Sequence, residues 1–162
     1  MSSRKPITNR ILSRLSPADF ALLESRLTAV ELPLRKQLEM PQKPITYVYF
    51  IESGYASVVA NGDDKRSIEI GLIGREGMTG LAVVMGTDRT HHETFMQCAG
   101  RGWRISAQNL RDVMEKSTGL RNRLLQIWSC LSHANDLHGN SKCSKQDRGA
   151  PGTLAVDGAR PS

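Results

Sequence analysis

Hydrophobic positions along this chain switch between two periods, and the switches mark its elements. Ile11, Leu12 and Leu15 recur at helical spacing from Asn9 onward. Ser16-Pro17-Ala18-Asp19 then supplies a capping hydroxyl, a proline at the first helical position and an acid in the first turn. A second helix therefore starts at Pro17 and turns Phe20, Leu23 and Leu27 inward. Thr28 to Leu34 reads as a first strand, and Leu38 to Ile45, broken by Pro41 and Pro44, suits a rim or edge. Tyr47 to Ile51 and Tyr55 to Ala60 are dense in aromatic and β-branched residues. Glu52-Ser53-Gly54 between them predicts a hairpin with Gly54 at positive φ. Asn61-Gly62 predicts a second turn, and the alternation of Ser67, Ile68, Glu69 and Ile70 predicts a third strand that Gly71 interrupts.

Ile73 to Gly80 places three glycines just ahead of the small apolar run Leu81 to Met85. Such a run most often makes a tight corner between strands. It also lets backbone amides approach a ligand, and a helical turn at Leu81 would favour a phosphate or carboxylate there. Gly86 to Glu93 is a polar loop carrying Arg89, His91 and His92. Adjacent histidines rarely converge on one metal ion and no third ligand is close in sequence, so they read as solvated. Thr94 to Ala99 and Trp103 to Ile105 predict closing strands around Gly100-Arg101-Gly102. Ser106 then caps a helix with Leu110, Val113 and Met114 on one face. Gly119 interrupts it, and Leu120 to Gln126 begins another helix in which Leu120, Leu124 and Leu125 are apolar.

Taken together, VYFIESGYASV, GLIGREGMTG before a short helix, and Asp88-Arg89-Thr90 resemble the effector domain of the Crp/Fnr family of bacterial transcription regulators. The resemblance covers Asn9 to Gln126. It implies a fold that is mainly β with flanking helices: a jelly-roll-like cyclic-nucleotide-binding β-barrel of eight strands over 9–118. It implies a phosphate-binding-cassette-like ligand site at Gly77, Met78, Thr79 and Gly80. Arg89 and Thr90 stand where members that bind cyclic nucleotide carry Arg-Ser or Arg-Thr. Cyclic-AMP binders follow the cassette glycine with a glutamate that holds the ribose hydroxyl, whereas Met78 follows Gly77 here. An effector other than cyclic AMP is therefore expected. The amino-terminal cysteine cluster of iron-sulfur members is absent, and no cofactor is expected. In the family, the helix begun at 119–126 forms a dimer seam, here Leu120, Leu124 and Leu125. It leads to a helix-turn-helix domain that reads palindromic DNA as a homodimer.

Composition changes the picture chiefly beyond Gln126. Residues 1–8 lack periodicity, and 127–162 are dense in Gly, Ser, Asn and Pro, which predicts disordered ends. Cys130, His133, His138 and Cys143 have zinc-compatible side chains, but no hydrophobic pattern flanks them to fold around an ion. Shifting the codons of Cys143 to Arg160 by one nucleotide can restore a run with arginine, leucine and tryptophan at helical spacing. Residues 127–162 are therefore expected to be a frame-shifted tail, so that this chain lacks the DNA-reading module and does not bind DNA specifically. A net charge of +6 is compatible with nucleic acid, yet the basic residues are dispersed without aromatic interleaving and read as a solvated surface.

At 162 residues the chain can bury one core. With no signal-peptide pattern and no apolar run that would span a bilayer, it is expected in the cytoplasm, away from membranes. Cys98, Cys130 and Cys143 are too few and too uneven for a disulfide framework, and Cys98 reads as a buried strand thiol. Two other classes compete with a truncated effector-sensing domain: a stand-alone small-molecule-binding module acting on a protein partner, and a cupin-like enzyme. The enzyme would need histidines and carboxylates clustered within the strands, which the sequence lacks, so no catalysis is expected.

Overall fold

The computed structural model describes residues 6–62 and 66–134, without the side chains of 127–134. Two long strands carry the architecture: β3 (Tyr47–Asn61) and β5 (Glu93–Ser106) pair antiparallel from Tyr47 opposite Ser106 to Val59 opposite Glu93. β1 (Thr28–Leu32) pairs with the second half of β5, and β2 (Gln37–Glu39) with its start. β4 (Ser67–Ile73) pairs with the second half of β3. The order is β1-β5-β3-β4, with β2 also on β5, in a single five-stranded sheet that does not close into a barrel.

The hairpin expected at Glu52-Ser53-Gly54 and the turn expected at Gly100-Arg101-Gly102 do not form, so the strands on either side of each run together into β3 and β5. Both glycine clusters instead lie at one place, where β3 and β5 press together. A Cβ on Gly100 would stand 1.8 Å from the Ser53 carbonyl oxygen, and one on Gly54 would stand 2.4 Å from that of Cys98. Gly54 does take positive φ, at 73°, but within a strand whose register shifts repeatedly between Ile51 and Ala56. These are bulges that bend a continuous ribbon. Gly71 likewise does not end β4, because a register shift opposite Val58 and Val59 absorbs one residue. The chain does reverse after Asn61, where the N–H of Gly62 donates to the Arg66 carbonyl at 3.1 Å.

Both faces of the sheet are covered. Val48 to Glu52 are all buried, so alternation along β3 separates two cores rather than core from solvent. Val48 and Phe50 join Ile105 against the helices, while Tyr49 and Ile51 pack with Leu32, Leu38, Ala56 and Met96 on the other side. α1 (Arg10–Ser13) is capped by Asn9, and α2 (Pro17–Glu24) by Ser16 as its sequence predicts. Leu23 is fully buried; Phe20 and Leu27 are partly buried against the same core, Leu27 beyond the helix end. α4 (Ala107–Lys116), capped by Ser106, buries Leu110, Val113 and Met114. Ahead of Asn9, the N–H of Thr8 donates to Glu52 Oε1 at 2.9 Å.

α5 (Thr118–Ala134) corrects two expectations. The break before it falls at Ser117, whose hydroxyl accepts the Leu120 N–H at 3.1 Å, and Gly119 lies inside the helix. The helix continues past Gln126, since propagating a nucleated helix is far easier than starting one. Leu120 and Leu124 are 0% and 2% exposed in the helix-side core, and Leu125 packs against it. Of the leucines expected at a dimer seam, Leu120 and Leu124 are thus buried within this chain, and Leu125 is partly buried. Cys98 is half-buried in β5 rather than fully enclosed. Residues 135–162, and the side chains of Cys130 and His133, lie outside the described residues.

Candidate functional site

The glycine loop after β4 folds back onto β3 and walls one side of an open cavity of about 890 Å³. Its corner is a turn in which the Gly77 N–H donates to the Gly74 carbonyl at 3.0 Å. Met78 bridges Phe50, and Thr79 locks onto Tyr49: its N–H donates to the Tyr49 carbonyl at 2.9 Å, and its hydroxyl accepts the Tyr49 N–H at 3.0 Å. Burial pushes the Tyr49 phenol up, against the lowering effect of the Arg104 guanidinium. Gly80, at φ 74°, caps the short helix α3 (Leu81–Val84) with a backbone that side chains rarely adopt. A Cβ there would also meet Val48 Cγ2 at 2.3 Å.

The cavity gathers every residue the sequence reading singled out for ligand: Gly77, Met78, Thr79, Gly80, Arg89 and Thr90 all line it. Their polar groups are turned to partners within the chain. Arg89 Nη1 donates to the Gln42 carbonyl at 3.0 Å, and its Nε lies 3.7 Å from Asp88 Oδ1. Thr90 Oγ1 accepts the His92 N–H at 3.1 Å, and the Thr90 carbonyl accepts the Gln42 N–H at 2.9 Å. Most of the rest of the wall is apolar, with Ile70 and Met85 49% and 60% exposed at its rim, and Glu76, Thr87 and Thr94 also line it.

Sequence reasoning missed Glu39. It reaches the cavity from β2, where one carboxylate oxygen accepts the Gly80 N–H at 2.6 Å and the other the Thr94 hydroxyl at 2.8 Å. The available signal was an acid flanked by the apolar Leu38 and Met40 in an edge segment. His91 and His92 sit on the same rim, and His91 Nδ1 is 2.7 Å from Gln42 Nε2. Among the described residues, no three His, Cys, Asp or Glu side chains cluster as metal ligands would. No helix among them is long and apolar enough to cross a membrane.

An antiparallel sheet, flanking helices and a glycine loop running into a short helix define the fold of cyclic nucleotide-binding domains, and solved structures share it. A cyclic nucleotide-binding domain from Methylobacillus flagellatus superposes with a TM-score of 0.65 at 17% identity, over 79% of this chain and 78% of that one. The sensor domain of the transcriptional regulator DNR from Pseudomonas aeruginosa gives 0.60 at 15%, over 82% and 89%. Catabolite Activator Protein from Thermus thermophilus gives 0.63 at 12%, over 78% of this chain but 60% of that one. The chain thus spans nearly all of a sensor domain and well under two thirds of the Thermus protein. No family model matches the chain, and no curated protein sequence matches it.

Proposed function

We propose that this chain is the effector-sensing domain of a Crp/Fnr-type transcription regulator, working in the cytoplasm without catalysis. The observation that carries the reading is the cavity itself: about 890 Å³, within the usual range for small-molecule sites, walled by the loop that the family resemblance marks for ligand. Met78 and the backbone of Gly77, Thr79 and Gly80 contact the effector from one side, and Arg89 and Thr90 from the other. The α3 and α5 helices pack together behind this loop, so occupancy is felt at the helix that leads out of the domain.

The uncharged dye Nile red, whose emission shifts in apolar surroundings, tests the cavity. Saturable binding by the folded chain, lost in Leu81→Arg, supports the sensor reading; absence of saturable binding removes it. We further propose that residues 127–162 are translated out of the frame of a DNA-reading module. On that reading the chain binds DNA through dispersed positive charge alone, with a Kd on the order of 10⁻⁴ to 10⁻⁶ M that weakens steeply with salt. Protection of a palindromic duplex at physiological salt would overturn this, as would a gene with no helix-turn-helix in either alternative frame after Gln126.

A further inference from the structure

The backbone donors that would grip an anion in this cavity are already engaged. Gly77, Thr79 and Gly80 give their N–H groups to Gly74, Tyr49 and Glu39 respectively. Arg89, exposed at the rim, gives one N–H to the Gln42 carbonyl, and Asp88 at 3.7 Å partly offsets its charge. At Gly80 the acceptor is a full carboxylate, so a phosphate arriving there meets negative charge in place of a hydrogen-bond donor. Glu39 cannot swing aside freely, because its second oxygen holds the hydroxyl of the fully buried Thr94 and both donors would be stranded. Ile70, Leu72, Met78, Leu81 and Met85 supply the apolar wall, which raises the cost of bringing in a second negative charge. His92 shares the wall, and its buried Nδ1 has no partner among the described residues, which leaves one further hydrogen-bonding point.

Building on the sensor reading, we propose that the effector is an apolar molecule whose polar end donates hydrogen bonds and is uncharged or cationic, and that Glu39 excludes anions. Glu39 is then the residue that sets ligand class. Displacement of Nile red by octylamine, octanol and octanoate, ligands of one length and three charges, tests this directly. The wild-type chain should prefer the amine to the carboxylate by roughly tenfold or more, as expected for like charges brought close in a half-buried site. It should also show no saturable binding of cyclic AMP or inorganic phosphate. Glu39→Gln, which keeps the shape and removes the charge, should shrink the amine-over-carboxylate ratio by about tenfold with octanol little changed. A wild type that takes octanoate or cyclic AMP as tightly as octylamine overturns the proposal even if the variant fails to fold. An unchanged ratio in a folded Glu39→Gln also overturns it. Both outcomes leave the sensor reading standing, whereas the absence of saturable Nile red binding removes the two together.

Discussion

Asn9 shows how much a single side chain can organise. It is fully buried, and its Oδ1 accepts the N–H groups of Ile11 and Leu12 at 3.0 and 3.2 Å. Its Nδ2 donates to the carbonyls of Ile51 at 2.8 Å and Gly77 at 2.9 Å. One amide thus starts α1, ties it to β3 and fixes the corner of the glycine loop. Asn9→Ala should cost about 2–4 kcal/mol, combining a lost cap with two stranded carbonyls, measured by urea unfolding. Asn9→Asp keeps the capping oxygen but points a second acceptor at two carbonyls. It should be at least as destabilised near neutral pH and recover partly when the carboxyl is protonated. Equal stability of Asn9→Asp and the parent at pH 7 would refute this assignment. The capping half of the role was legible in the sequence because its partners are two and three residues away. The donor half was not, because its partners lie 42 and 68 residues away.

At the scale of elements, short-range chemistry was legible and long-range pairing was not. Ser16 and Ser106 cap their helices by bonds to residues three positions on, which the sequence displays directly. Glycines at 54 and 100 display only that no side chain fits, and a turn and a close strand crossing make the same demand. The junction of α2 with α5 depends on such an unseen partner. Asp19 accepts hydrogen bonds from the hydroxyls of Ser117 and Ser16, each at 2.7 Å, and these, with Arg123 further off, hold its carboxyl below the usual range despite some desolvation. A depressed folded-state pKa contributes stability that is present above the unfolded value, about 3.9, and is lost as the pH falls through the lower folded value. The stability difference between the parent and Asp19→Asn should therefore be largest above about pH 5 and shrink toward pH 2. Because the group is exposed, solvent screening keeps the effect small. A difference that grows on acidification would show that Asp19 does not act as an ionised acceptor.

At the scale of the molecule, the resemblance that named the fold rested on the order of strand, glycine loop and helix, and the architecture preserves that order while closing less of the sheet than a barrel requires. What the order could not reveal was which side of α5 is occupied. Three apolar residues at helical spacing look alike whether they face another subunit or their own core, since periodicity reports a buried face and not its partner. Here α5 lies against α3 and α4, and Leu124, 2% exposed, belongs to the helix-side core with Leu120 and Leu110. Leu124→Ala should then act as a core truncation, lowering unfolding free energy by about 2–5 kcal/mol. Its sedimentation behaviour at a given concentration should match the parent's wherever both are folded. The effect should be independent of protein concentration, because stability contributed by a subunit interface rises with concentration and stability contributed by an internal core does not. If Leu124→Ala instead left the unfolding midpoint at high dilution unchanged and abolished a dimer seen at micromolar concentration, the leucine would belong to a seam after all.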